Sequence, residues 1–306
     1  MRVAVIGGSG HIGSYLTPRL AEAGFDTVCV SRGARAPYVA HPAWAKVRRV
    51  TLDRNDERFD SRVAELGAET VIDLTCYTLE SAVSLINALR GRVERILHCG
   101  TIWVHGMSVQ VPTTEDRPRR PISDYGIRKA AIEKFLMSQM DVPAAVIHPG
   151  HLVGEGWVPL NPAANFNPRV FQDLAEGRGI TLPNSGRETL HHVHADDVAQ
   201  CFVKALQRWP YAAGESFHAV SPAAVTLTGY AEAVADWYGQ QAAVRYLPWE
   251  EWRNTVTLKE ASITWDHIAR SPNCSIAKAQ RLLGYAPRYG SLDAVRESLF
   301  SQLFPS

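Results

Sequence analysis

The residues best suited to chemistry are Tyr125 and Lys129, in the run Tyr125-Gly126-Ile127-Arg128-Lys129. Positions i and i+4 share a helix face, so both side chains can enter one pocket. A free phenol, with pKa about 10, is a poor base near neutrality. A neighbouring ammonium stabilises the phenolate and draws that value down. Taken alone, the pair equally describes a solvated helix face. Thr101 adds a third group. It follows the apolar run Arg95–Cys99, and residues just past a strand of an open parallel sheet face the ligand crevice. Its hydroxyl can bond a substrate carbonyl or hydroxyl; the bland alternative is a local turn.

A second constellation is Gly7-Gly8-Ser9-Gly10-His11-Ile12-Gly13, between the first apolar run and the first helix-like stretch. Small residues let the chain turn sharply, approach a pyrophosphate and pack the helix start on the strand. Uncapped amides at the helix N-terminus then attract phosphate. The second strand candidate ends Cys29-Val30-Ser31-Arg32-Gly33, where an NAD-selective chain usually carries an acidic residue. Ser31 and the guanidinium fork of Arg32 instead suit a 2′-phosphate, with Arg35 able to assist. NADP is the favoured cofactor and NAD stays open. Asp53 can accept from an adenine amino group, or serve a loop or cap. Thr75 and His148 complete the expected cofactor contacts.

The elements that must position these residues alternate as short apolar runs and longer amphipathic stretches, the pattern of βαβ units. Strands are expected at Arg2–Ile6, Thr27–Val30, Val47–Leu52, Thr70–Leu74, Arg95–Cys99 and Ala144–His148. Helices are expected at Ile12–Ala23, Ser61–Leu66 and Leu79–Leu89, closed by Gly24, Gly67 and Gly91, and from Tyr125 onward with Ser123 as N-cap. Past residue 150 the alternation fails. Val158–Pro168 reads as a loop, Glu215–Val220 as one more strand, Thr226–Tyr238 as a helix, and Pro248–Pro272 has no clear period. The fold class is α/β: a Rossmann-type doubly wound parallel sheet with a smaller C-terminal substrate lobe. Residues 1–150 form the dinucleotide domain, which also receives segments from about 188–222; residues 151–306 form mainly the substrate lobe.

The 306 residues carry 32 Lys+Arg against 31 Asp+Glu, a net charge of +1. That balance argues against nucleic acid as a partner. With 46% apolar residues the chain is not disordered in composition. No apolar run approaches the ~20 residues of a membrane span, and the first apolar run is too short for a signal peptide. Five scattered cysteines suit buried thiols in a reducing compartment. The expected protein is soluble and cytoplasmic.

The glycine turn, Thr101 and Tyr125-x-x-x-Lys129 together resemble the extended, atypical-leaning short-chain dehydrogenases/reductases, which include the NAD-dependent epimerases and dehydratases. The resemblance continues through His148-Pro149-Gly150-His151-Leu152-Val153-Gly154, His194-Ala195-Asp196-Asp197-Val198-Ala199 and Lys278-Ala279-Gln280-Arg281-Leu282-Leu283-Gly284-Tyr285-Ala286-Pro287. It implies that Tyr125 is the general acid/base, that Lys129 lowers its pKa and binds the nicotinamide ribose, and that Thr101 orients the reacting oxygen. It implies Asp196 or Asp197 as a helix cap. It also implies a homodimer through helices around Leu79–Leu89 and Tyr125–Met137. Departures concern the substrate. Leu190 stands where nucleotide-sugar enzymes commonly carry Arg, with Arg187 three residues earlier, and His151 lies near the place of a frequent Asn. A smaller sugar, polyol or hydroxy acid is favoured.

The resulting reading is an NAD(P)-dependent oxidoreductase acting on a hydroxyl or keto carbon of a small polar, carbohydrate-like substrate. Two alternatives stand beside it: a sugar epimerase or dehydratase with tightly bound NAD, and a non-catalytic or RNA-associated dinucleotide-binding protein. His191, His192 and His194 invite a metal reading, but on an extended segment His191 points away from the other two, and no metal is expected. His98, His105, His148 and His151 are candidates for the pocket wall, or for hydrogen-bonded core. Trp237, Trp249, Trp252 and Trp265 are expected in the core of the late lobe.

Overall fold

The computed structural model describes residues 1–303. Seven strands form one parallel sheet: β1 (Arg2–Ile6), β2 (Asp26–Ser31), β3 (Arg48–Thr51), β4 (Thr70–Asp73), β5 (Arg95–Cys99), β6 (Ala144–Pro149) and β7 (Ser216–Ala219). Their spatial order is β7-β6-β5-β4-β1-β2-β3. The chain starts at β1, builds outward through β2 and β3, then crosses back to lay β4 on the other side of β1. That reversal opens a crevice at the carboxyl ends of β1 and β4, where ligands of such sheets bind. The expected strands all form, with no end shifted by more than one residue.

Five helices cover the sheet: α1 (His11–Glu22), α2 (Phe59–Ala64), α3 (Leu79–Leu89), α4 (Asp124–Ser138) and α5 (Ala195–Gln207). Leu16 and Leu20 of α1 and Val198 and Phe202 of α5 pack with Val3 and Val5 on one face. Val63, Leu85, Leu89 and Ile132 pack with Ala4 and Ile6 on the other. Burial on both faces is why the strands read as unbroken apolar runs. A third apolar cluster joins Leu160, Leu182, Tyr230, Trp252 and Val295. All of it comes from the late half of the chain.

Two local expectations are corrected. Pro248–Pro272 holds two helices, Trp249–Trp252 and Leu258–Ile268. The second opens with a reciprocal cap between Thr257 and Glu260. Buried Thr264 and His267 on its inner face, and half-exposed Trp265, blur the apolar stripe. The N-cap of α5 is His194, whose Nδ1 accepts the Asp196 amide at 3.1 Å. Asp196 instead takes Arg19 on both carboxylate oxygens, at 2.6 and 2.5 Å, and Asp197 accepts the amides of Arg288 and Tyr289. Among the described residues all five cysteines are buried and unpaired, and no helix is long and apolar enough to cross a membrane.

Candidate active site

The glycine turn owes its shape to contacts that leave no room for a side chain. Gly7 has φ +81°, and a Cβ there would stand 2.5 Å from Thr75 Cγ2. A Cβ on Gly13 would stand 2.4 Å from the Gly7 carbonyl oxygen. The obstruction at Gly13 is backbone and cannot rotate away. Gly13→Ala is therefore expected to cost about 1–3 kcal/mol and to lower the melting temperature. It should also weaken dinucleotide binding, because the turn must open. Thermal melts with and without NADPH measure both effects, and an unchanged melt would remove the packing argument.

Helix α1 starts at Gly10 with no side-chain cap and no acidic residue in its first turn. Its end therefore offers unshared amide donors and a positive dipole. Beside it lies a cleft of about 410 Å³. Gly7, Ser9, Gly10, Ser31, Arg32, Asp53 and Thr75 all line it, so most of the expected cofactor residues converge. His11, Ile12 and Gly13 are buried behind the turn, and His11 stacks on Trp157 at 4.5 Å. Asp53 Oδ1 accepts the Asn55 amide at 3.0 Å, a loop role that leaves its second oxygen for a ligand. A side-chain-free turn, an uncapped helix end and exposed guanidiniums at the second strand fit a pyrophosphate dinucleotide.

Two cleft residues escaped the sequence reading. Arg54 bonds Asp73 at 2.5 Å and Ser81 at 2.7 Å, tying β3 to β4, and Tyr77 lines the same wall. Each lies just past the carboxyl end of its strand. That position is the signal that would have found them.

The second group assembles where β5 ends. The Thr101 hydroxyl accepts the Trp103 amide at 3.3 Å and lies close enough to the Tyr125 phenol to favour its ionised form. Ser123 caps α4 as expected, and the helix carries Tyr125 and Lys129 inward. Lys129 is buried, with Nζ donating to the carbonyls of Cys76 at 2.8 Å and Cys99 at 2.7 Å. It stands 4.8 Å from the Tyr77 ring centre and 6.0 Å from that of Tyr125. An ammonium has three donors, so one remains.

The expected lowering of the Tyr125 pKa is not what this arrangement produces. Burial pushes the phenol above its ordinary value, Cys99 and Tyr77 add to this, and Thr101 opposes it. Burial also lowers the Lys129 ammonium, whose two engaged donors point at backbone rather than at the phenol.

His148 is likewise placed differently from the expectation. It is fully buried behind Thr101, with Nδ1 accepting the Thr101 amide at 2.9 Å and Nε2 3.0 Å from Glu133 Oε1. Arg119 grips Glu133 at 2.9 and 2.6 Å. Burial opposes ionisation of Glu133, but His148 and Arg119 outweigh it and hold the carboxyl well below its usual range. His148 therefore positions Thr101 rather than lining the cleft. His105 and His218 face each other at 2.8 Å, and His191 is engaged by Ser221 and Cys274. Among the described residues no three His, Cys, Asp or Glu side chains converge as metal ligands.

A doubly wound parallel sheet with a glycine-rich first turn and a cleft at its switch point defines a Rossmann-type dinucleotide-binding protein. Residues 3–218 match the model of the NAD dependent epimerase/dehydratase family, and the chain belongs to that family of NAD(P)-dependent oxidoreductases and epimerases. It is similar to 2′-dehydrokanamycin reductase of Streptomyces kanamyceticus, 33% identical over 216 residues, 67% of this chain and 58% of the reductase. The chain thus spans less than two thirds of that relative's length. It is also similar to the chloroplast stem-loop binding protein of 41 kDa b of Arabidopsis thaliana. There the identity is 26% over 313 residues, 97% of this chain and 78% of the relative. The Bordetella bronchiseptica enzyme WbmG in complex with NAD shares the fold, with TM-score 0.75 and 18% identity over 99% of this chain and 94% of that one.

Proposed function

We propose that the chain is an NADP-linked oxidoreductase acting on a hydroxyl or keto carbon of a small, polar, carbohydrate-like substrate. The observation that carries this reading is that Tyr125 stands beside buried Lys129, Nζ 6.0 Å from its ring centre and bonded to the Cys99 carbonyl, where β5 ends and Thr101 follows. Tyr125 moves the proton on the reacting oxygen, Thr101 orients that oxygen, and the free donor of Lys129 reaches the nicotinamide ribose. The dinucleotide supplies or accepts the hydride when bound. The likeness to 2′-dehydrokanamycin reductase supports a reductase. Leu190 argues against a nucleotide sugar, because it is buried in the late apolar cluster and offers no charge.

NADP is favoured over NAD by Arg32 on the cleft wall and by an adjoining hollow of about 120 Å³. That hollow is lined by Ser9, Ser31, Arg35, Arg49 and Thr51, among others. Arg32→Ala is expected to weaken NADPH by about tenfold more than NADH, the scale of one charge-assisted contact. Fluorescence titration with both cofactors decides it; equal losses would mean that Arg32 does not read the 2′-phosphate.

An epimerase or dehydratase holding NAD is the second reading, favoured by the family match. Mass spectrometry of cofactor released from purified protein separates the two, since stoichiometric NAD would overturn the first. The likeness to a stem-loop binding protein raises an RNA-associated reading, which the net charge of +1 opposes. We propose further that residues 1–150 with about 188–222 form the cofactor domain and the rest the substrate lobe. The proposed setting is the cytoplasm, and the proposed assembly is a homodimer through α3 and α4.

A further inference from the structure

From Tyr125, through Trp103, which does not line the dinucleotide cleft, runs a chain of rings that reaches buried His267 and His192. Trp103 meets Tyr125 edge-on at 5.9 Å and His267 at 5.1 Å. His267 meets His151 at 5.4 Å, and His151 meets His192 at 5.6 Å. Arg270 stacks over Trp103, its guanidinium carbon 3.9 Å from the ring centre. Only 1% of Arg270 is exposed.

The pairing of this guanidinium is incomplete in a specific way. Nη1 donates to the Asp266 carbonyl and lies 3.5 Å from the Asp266 carboxylate. Nε and Nη2 have no partner. Those two atoms make up the edge with parallel N–H vectors, the one that pairs with two oxygens of a planar anion. His151 Nε2 and both ring nitrogens of His192 are also buried without partners. An unpaired buried donor or acceptor forfeits its solvation, and folded chains keep few of them. Five such atoms, on Arg270, His151 and His192, lie along this one ring-to-ring path that begins at Tyr125.

We propose that the Nε–Nη2 edge of Arg270 receives a carboxylate of the substrate, while His151 and His192 bond its hydroxyls. The substrate class is then a hydroxy acid or sugar acid. Phe166, 40% exposed and 6.0 Å from His151, and part-exposed Trp103 adjoin the cluster on its solvent-exposed flank. Burial keeps the imidazoles neutral, with His267 lowered to about 4 and His192 to about 3. One guanidinium is left to meet the ligand's charge, which matches a monoanion, and the Asp266 carboxylate beside it disfavours a phosphate dianion. The inference takes from the proposed function only that Tyr125 marks the reacting carbon.

The test is calorimetric titration of NADP-saturated protein with gluconate and glucuronate, the neutral sorbitol and glucose, and a sugar phosphate. The acids should bind at least about tenfold tighter than the neutral compounds. Arg270→Gln should remove about 30-fold of acid affinity and leave sorbitol within about twofold, the size of a charged bidentate pair. Arg270→Lys, which keeps charge without the fork, should fall between. Unchanged NADP affinity shows that a variant is folded, and Arg270→Lys carries the test if Arg270→Gln is not. The proposal is overturned if the acid preference survives in Arg270→Gln. It is equally overturned if the sugar phosphate binds tightest, or if wild type binds neither acid below about 10 mM. Acids bound through Arg270 but never turned over with either dinucleotide would support this site and sink the hydride-transfer reading instead.

Discussion

Tyr125→Phe is expected to lower kcat by about two to four orders of magnitude, the usual contribution of a positioned general acid or base. The dinucleotide dissociation constant should stay within a few-fold. The variant keeps the ring that meets Trp103 at 5.9 Å and Tyr77 at 6.5 Å, so the walls of the site remain. It loses only the phenolic oxygen, whose ionisation Thr101 favours. Because burial holds that phenol above its ordinary value, it is a proton donor at neutral pH, ready for the reductive direction. Oxidation would need it as a base, so the oxidative rate should climb with pH well beyond neutrality while the reductive rate does not. Steady-state rates in both directions, with fluorescence titration of the cofactor, check this. Turnover that survives in the phenylalanine variant would remove Tyr125 from the chemistry.

The second large effect is acid lability. Burial is the leading cause that lowers His11, His105 and His192 to about 3, and His191 and His267 to about 4. In the unfolded chain each returns to about 6.5. Below that value the unfolded state binds protons that the folded state refuses, so stability rises with pH across this window. The contribution is complete above about pH 6.5 and is lost progressively as pH falls toward 4 and then 3. A loss on the order of 1 kcal/mol per histidine by pH 5.5 follows from linkage. Five such groups together rival the whole stability of an ordinary domain. Thermal melts between pH 7.5 and 4.5 should therefore show a steep fall in Tm beginning near pH 6.5. A Tm that stays flat to pH 4.5 would mean that these rings take protons inside the fold.

Much of the cofactor side was legible in the chain itself because its determinants are local. A glycine turn must sit between one strand and one helix; Ser31 ends a strand, and Asp53, Thr75 and Thr101 each stand just past one. Tyr125 and Lys129 are linked by a single helical turn. The proposed substrate side was not legible. His267 and Arg270 lie together at the end of one late helix, Trp103 lies more than 160 residues earlier, and nothing in the spacing announces that they stack together. His148 was expected as a cofactor contact, yet its side chain is buried and bonds Glu133 and the Thr101 amide.

The amino-acid sequence by itself determined the α/β class and the parallel sheet, and it named the glycine turn and the three residues proposed here for the reacting centre. Each follows from periodicity or from a short-range steric demand. Only the tertiary structure decided which way Lys129 points, why the Tyr125 phenol is held high, and which buried polar groups lack partners. Those properties depend on how much water is excluded around a side chain and on which distant segments exclude it. Residues far apart in the chain set that environment together, and no local pattern encodes it.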